Sequence, residues 1–141
     1  MPAFIHTHDR HIESRVLQGE LTNILYDVGG VSFGGRPLYI VEYGGDRYAS
    51  STANLLRRTD RRLEPTVRRR ESVGPGGMYR IERQTFHEAI VPENLTTITL
   101  VCMHSRSPGP VKVIGIDGYS EVIAFVRAEH RAQVFLKLIT G

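Results

Sequence analysis

The stretch FIHTHDRHIESRVLQGELTNILYDV, residues 4–28, decides how this chain is interpreted. It contains three of the six histidines, His6, His8 and His11, followed by Glu13 and Gly19. In an extended strand, residues two apart project from the same face. His6 and His8 therefore place two imidazoles side by side, as two ligands of one metal ion require. The alternative is that both rings are exposed near a frayed terminus.

The rest of the chain has the periodicity of short strands. Segments such as RPLYIVEY, LEPTVRRRESV, GMYRIERQTF, TTITLVCMH and VKVIGI are separated by glycine and proline signals. This pattern predicts an antiparallel all-β chain, either a sandwich or a small jelly-roll barrel. Residues 120–138 alone have helix-like spacing, which predicts a short C-terminal helix. The first part of that segment, EVIAFV, is equally compatible with a last strand.

Length and composition suit one globular domain over residues 1–141, with 40% hydrophobic residues. No apolar run approaches a membrane span, and MPAFIHTHDRH lacks the features of a signal peptide. We therefore expect a soluble cytoplasmic protein with no membrane partner. Cys102 is the single cysteine, so an intrachain disulfide is excluded.

Arginine is concentrated in RRTDRRLEPTVRRRE, residues 57–71, within a chain of net charge +3. Acidic residues interrupt the cluster, and no aromatic residue within it offers a surface on which a base could stack. We interpret this segment as a solvated hairpin and predict no nucleic-acid partner.

For Arg69 the alternation of the strand predicts the direction of the side chain. If Val67 and Val73 point into a barrel, alternation sends Arg69 inward as well. A buried guanidinium needs an anionic partner. That partner is either Glu71 or Glu13, or else the carboxylate or phosphate of a ligand, which makes Arg69 a candidate catalytic residue.

The spacing of the opening stretch resembles a known motif. HxH, four residues, Glu, five residues and Gly are similar to the first motif of the cupin superfamily. A second, partial match is GGMYRIERQTFHEAIVP, which supplies Gly77, a strand and His87 but lacks the usual proline and glycine before that histidine. With TITLVCMHSRSP, these segments look most like the thiol dioxygenase branch, which includes cysteine dioxygenase-like proteins. The resemblance covers residues 4–116.

This resemblance implies an antiparallel jelly-roll barrel in which His6, His8 and His87 hold a non-haem Fe(II). Zn, Ni or Mn are alternative ions. Glu13 matches a fourth ligand of the general cupin motif, although the thiol dioxygenases have no acid there. The implied function is that of a dioxygenase-like enzyme acting on a small molecule, anionic if Arg69 contacts it. Non-catalytic metal or ligand binding, and isomerase or lyase chemistry with another metal, stay open.

Three other residues have expected positions, and Tyr79 has two possible roles. Tyr79, eight residues before His87, either offers its phenol to a ligand as a candidate catalytic residue or packs in the core. His11 is expected in the turn after the first strand, and His104 is expected to cap a strand end.

We also expect a homodimer in which the N-terminal segment, or an exposed edge at RPLYIVEY, pairs across the interface.

Overall fold

The computed structural model of the protein describes residues 5–45 and 53–126, which contain strands and no helix. In chain order the strands are β1 (His11–Gln18), β2 (Leu21–Val31), β3 (Arg36–Tyr43), β4 (Asn54–Val73), β5 (Met78–Ile81), β6 (Phe86–Ile90), β7 (Ile98–His104), β8 (Lys112–Ile114) and β9 (Val122–Phe125). The all-β prediction is confirmed. The predicted C-terminal helix is wrong where it can be checked, because its first part forms strand β9. The rest of that prediction, residues 127–138, lies outside the described residues.

The strands form two antiparallel sheets. The smaller sheet has the order β5-β1-β7, and the larger has the order β6-β2-β4-β3-β8, with β9 also paired to β4. The two sheets do not close into a barrel. The architecture is therefore that of an antiparallel β-protein with two sheets, which is the coarser part of the predicted fold.

Residues 5–9 connect the outer strands of the larger sheet. His6 forms isolated bridges with His87 of β6 on one side and with Val113 of β8 on the other. Further backbone hydrogen bonds run from Ile114 to Ile5 and from Thr7 to Lys112. The segment with the first two histidines is thus held on both sides, and the alternative of a frayed terminus does not apply.

The arginine-rich segment is not a hairpin. It belongs to β4, a single strand of 20 residues that lies between β2 and β3. Pro65, which lacks a backbone N–H, is tolerated because β3 pairs with β4 only as far as Leu63. At Pro65 the ladder continues only on the β2 side, opposite Val28.

Three groups of buried apolar residues form the core. One lies around Tyr39 and Leu56, a second around Ile12, Val16 and Tyr79, and a third around Ile5 and Phe86. In β3 the consecutive residues Leu38 and Tyr39 belong to different groups, so this strand is covered on both faces. The second group joins β1 and β5 of the smaller sheet to Leu21 and Leu25 of β2.

The segment RPLYIVEY was expected to form an exposed sheet edge, and this is wrong. It forms β3, which lies between β4 and β8. Consecutive buried residues in this segment reflect a central strand. In the ranges that the structure describes, no helix is long and apolar enough to span a membrane.

Candidate metal centre

Three histidines converge between the start of the chain and β6. One ring nitrogen from each of His6, His8 and His87 can be chosen so that all three nitrogens lie within 4.8 Å of one another. The ring centroids are 4.6 to 5.0 Å apart. Nε2 of His8 lies 2.9 Å from Nε2 of His87, which is 79 residues away in the sequence. The predicted convergence of these three residues is therefore present in the structure.

The backbone positions these rings. The N–H of His6 donates to the carbonyl of His87 at 3.0 Å, and the N–H of His87 donates back at 2.9 Å. This pair of hydrogen bonds places the two residues directly opposite each other. His8 follows two residues later, and its carbonyl accepts from the N–H of Gln84 at 2.8 Å.

His87 faces the core that joins the two sheets. It pairs with Leu25 of β2, and paired residues share a face of the sheet. Leu25 packs against the apolar group around Ile12, Val16 and Tyr79. The next residue, Glu88, projects from the opposite face, where its carboxylate accepts a short hydrogen bond from the Tyr26 hydroxyl. Burial and this hydrogen bond raise the pKa of Tyr26 to about 12.

The environment of His87 keeps its ring neutral. The residue is 5% exposed, and burial, with a further contribution from His6 and His8, lowers its pKa to about 2. A neutral imidazole is the form that binds a metal ion, so no proton has to be removed from His87 near neutral pH. His6 and His8 are half-buried, which leaves one side of the cluster accessible.

Three imidazoles are a suitable donor set for a divalent ion. Two nitrogens each ~2.0–2.1 Å from an ion are ~2.9 Å apart at a right angle and ~3.3 Å apart at a tetrahedral angle. The 2.9 Å between Nε2 of His8 and Nε2 of His87 lies in this range, but it is also the length of a hydrogen bond between the two rings, so it does not distinguish one ion from another. One feature differs from most histidine sites: Nδ1 of His87 is buried and has no hydrogen-bond partner among the described residues.

Glu13, the candidate fourth ligand, is not part of this cluster. Its β1 neighbours Ile12 and Ser14 are buried, so Glu13 projects from the other face of the smaller sheet. There its carboxylate accepts a hydrogen bond from Arg80 at 2.5 Å and lies 3.6 Å from Nε2 of His104. Glu13 is thus engaged on the opposite side of the strand from the core.

Arg69 is not buried as the sequence suggested. The register between β2 and β4 shifts between Leu25 and Tyr26, and this bulge turns Val67 to the other face, whereas Arg69 stays on the face of Val73. The Arg69 side chain is 62% exposed, and its guanidinium contacts Glu71 at 3.1 Å. Of the partners considered from the sequence, Glu71 is the one observed.

The register nevertheless places Arg69 on the same face as His87. Leu25 pairs with His87 on one side and with Arg69 on the other, so the three residues form one row across β6, β2 and β4. With strands ~4.8 Å apart, the two Cα atoms at the ends of this row are ~10 Å apart. A long guanidinium side chain spans much of that distance.

Tyr79 packs in the core. It is buried between the sheets and pairs with Ser14 of β1. This is the second of the two interpretations of Tyr79, and residues 82–85 separate its strand β5 from β6, which carries His87. The Tyr79 side chain also borders an open cleft of about 420 Å³ shared with Arg69, Glu71, Met78 and Arg80.

A second pair of histidines was missed in the sequence. His11 was expected in a turn, but it begins β1, where its ring stacks on that of His104 with a centroid distance of 5.4 Å. Nδ1 of His11 lies 2.7 Å from the Glu82 carboxylate. His104 ends β7, as predicted, and lies directly opposite His11. Only the β1–β7 register reveals this pair, since 93 positions separate the two residues in the numbering.

Comparison of the chain with protein-family models, curated proteins and solved structures yields no match. The interpretation of the centre therefore depends on its own residues and geometry.

Proposed function

We propose that this chain is a metal-dependent protein of cupin type, in which His6, His8 and His87 hold one divalent ion. We further propose that the ion is Fe(II) and that the protein is a dioxygenase-like enzyme acting on a small molecule. The observation that carries this proposal is the convergence of three ring nitrogens within 4.8 Å from two distant segments.

Several features support a jelly-roll of cupin type over a generic two-sheet protein. The HxH pair precedes β1, the third histidine follows on β6, and both belong to an antiparallel arrangement. Gly19 lies in the turn that leads from β1 of the smaller sheet to β2 of the larger sheet, with a positive φ of 69°. The histidines and the glycine of the first motif thus coincide with structural features, whereas its glutamate, Glu13, faces away from the histidines.

The chemistry follows from the three ligands. Neutral imidazoles leave an ion its full positive charge and open positions, so a bound Fe(II) supplies a place for O2 and substrate to react together. The protein's part is to hold three rings in position, with His87 kept neutral by burial. The half-buried rings of His6 and His8 leave access for a small substrate.

Arg69 supports an anionic substrate. It lies in the same row as His87. Among the described residues, its guanidinium contacts one carboxylate, that of Glu71. A substrate carboxylate would compete with Glu71 for the same donors, because guanidinium groups bind carboxylates through paired N–H donors. Arg69→Lys is then expected to raise KM more than it lowers kcat.

Metal content tests the proposal directly. Protein purified without chelator and loaded separately with Fe(II), Mn(II), Ni(II) or Zn(II) is expected to bind about one ion per chain at this site. His8→Ala and His87→Ala should abolish stoichiometric binding, whereas His11→Ala and His104→Ala, which change the other histidine pair, should retain it. Glu13→Gln should change affinity little because Glu13 faces the other side of β1.

The outcomes separate the alternatives. Fe(II)-dependent O2 consumption with small carboxylic acids or thiols supports the enzyme. Stoichiometric metal without O2 consumption points to a binding or sensing protein, and turnover with Zn, Ni or Mn instead points to an isomerase or lyase. A wild-type protein that binds none of the four ions contradicts the proposal.

A further inference from the structure

Strand β7 is exposed on both faces. Its pairing with β1 places Val101 opposite Ser14 and Met103 opposite Ile12, so these two side chains point to the same side as the core. They are nevertheless 46% and 43% exposed, and Leu100, on the outer face, is 64% exposed. In the described part of the chain, β7 pairs only with β1 and forms an edge of the smaller sheet.

This edge lacks the charges and prolines that protect edge strands from pairing. Natural edges carry charged residues, prolines or bulges that block another strand. Residues 98–103 read ITLVCM and contain neither a charge nor a proline. The surrounding segment is also apolar. Of the 14 large hydrophobic residues that are exposed within residues 5–45 and 53–126, six lie in residues 90–103, namely Ile90, Val91, Leu95, Leu100, Val101 and Met103.

We propose that β7 is a dimer interface, at which β7 of a second copy of this chain pairs in antiparallel orientation about a two-fold axis at Val101. Val101 then lies opposite its own counterpart, Leu100 opposite Cys102, and Thr99 opposite Met103. The two smaller sheets join into one sheet of six strands, and the backbone groups along the free edge of β7 gain partners.

A second copy of the chain fits this edge by charge and by symmetry. The chain carries a net charge of +3, so self-association is opposed except where the surface is neutral. Residues 98–103 are neutral, and antiparallel pairing about Val101 places apolar or small side chains against each other on both faces. On the core-facing side, Val101 then lies beside the partner's Val101, and Met103 lies beside the partner's Thr99.

Sedimentation of the full-length protein tests this interface. Wild type is expected to be a dimer at tens of micromolar, and Val101→Lys should weaken dimerisation by about 30-fold or more, since a charge enters the centre of the interface. Leu17→Lys is the matched control. Leu17 is an exposed apolar residue of the same sheet, but it belongs to the central strand β1, so the dimer should persist. Circular dichroism and the unfolding midpoint check that each variant folds.

A cysteine pair tests the register independently of any loss of stability. In a Cys102→Ser background, Val101→Cys places two thiols directly opposite each other, within the Cα range of ~4.4–6.8 Å that a disulfide requires. Mild oxidation should give a covalent dimer, whereas Phe33→Cys in the same background, on an exposed turn, should not. A wild-type monomer, a dimer that Leu17→Lys dissociates but Val101→Lys does not, or no Val101→Cys cross-link would each overturn the proposal.

Discussion

His87 is the residue whose surroundings differ most from those of a free histidine. It is buried, it hydrogen bonds through its backbone to His6, and its ring nitrogen lies 2.9 Å from that of His8. A charged imidazolium in this position would be desolvated and would lie close to the rings of His6 and His8. The residue is therefore suited to bind a cation through its lone pair and unsuited to carry a charge itself.

The low pKa of His87 predicts a specific pH dependence of stability in metal-free protein. Its folded pKa of about 2 lies below the unfolded value of ~6.5, so the unfolded chain binds a proton that the folded chain does not. The contribution is complete above pH ~6.5 and is lost progressively as the pH falls towards the folded pKa, by up to ~1.4 kcal/mol per pH unit.

Urea unfolding of chelator-treated protein between pH 7.5 and 5 measures this effect. His87→Gln is expected to reduce the slope of the unfolding free energy against pH by up to ~1.4 kcal/mol per pH unit, which corresponds to the uptake of one proton on unfolding. His104→Gln, which changes an exposed ring of the other histidine pair, is expected to keep the wild-type slope. Equal slopes for wild type and His87→Gln would contradict the interpretation.

At this scale the sequence predicted which three histidines lie together but not the surroundings of Glu13 and Arg69. His6 and His8 share a face because they are two residues apart, and this holds in any extended segment. Glu13 is five residues from His8, an odd separation, so alternation alone opposes its role as a ligand. Arg69 shares the face of Val73 as alternation predicts, but the bulge at Arg68 turns Val67 to the other face, and no local signal marks that extra residue.

At the scale of elements, the turn between β1 of the smaller sheet and β2 of the larger sheet depends on one glycine. Gly19 has a φ of +69°, and a Cβ at this position would lie 2.5 Å from the carbonyl oxygen of Thr96. The chain leading into β7 therefore packs directly against the turn, where the Thr97 hydroxyl also donates to the carbonyl of Glu20. Both the backbone conformation and the contact exclude a side chain.

Gly19→Ala is expected to lower the free energy of unfolding by roughly 2 kcal/mol or more, since a backbone penalty of ~1–2 kcal/mol adds to a steric one. Gly34→Ala is the matched control. Gly34 has a similar φ of +67°, but no heavy atom lies within 4 Å of its added Cβ, so only the backbone penalty applies. Chemical unfolding of both variants measures the difference. Equal losses would show that the contact with Thr96 does not constrain the turn.

Strand β4 shows why element boundaries were harder to predict than element type. Asp60, Pro65 and the arginines all suggest an interrupted, solvated segment, yet β2 and β3 on either side hold the chain extended for 20 residues. Several arginines of this strand form ion pairs with carboxylates on other elements. These pairs are Arg57–Glu42, Arg58–Glu121, Arg62–Asp117 and Arg68–Asp27. Paired guanidinium groups form a surface of mixed charge, and the absence of a nucleic-acid partner stays a prediction.

At the scale of the whole molecule, the candidate centre connects parts of the chain that are distant in sequence. His6 and His8 precede β1, whereas His87 follows five strands later on β6. Their rings come together only when the larger sheet is complete and residues 5–9 are held between β6 and β8. An ion bound by all three residues therefore binds the folded chain and has little affinity for the unfolded one.

Metal binding should then stabilise the entire fold. An ion present at 100 times its Kd adds ~2.7 kcal/mol to the free energy of unfolding. For a chain of this length, that corresponds to a rise in Tm of roughly 8–10 °C. Thermal unfolding of chelator-treated wild type, with and without each divalent ion under anaerobic conditions, measures the shift.

Two variants test where the ion binds. His87→Ala should have the same Tm with and without the ion. His11→Ala should show the wild-type increase in Tm, because its ring lies on the other face of the smaller sheet. If His11→Ala lost the increase and His87→Ala kept it, the stabilising ion would bind at the His11–His104 pair, and the three-histidine centre would have no metal to hold.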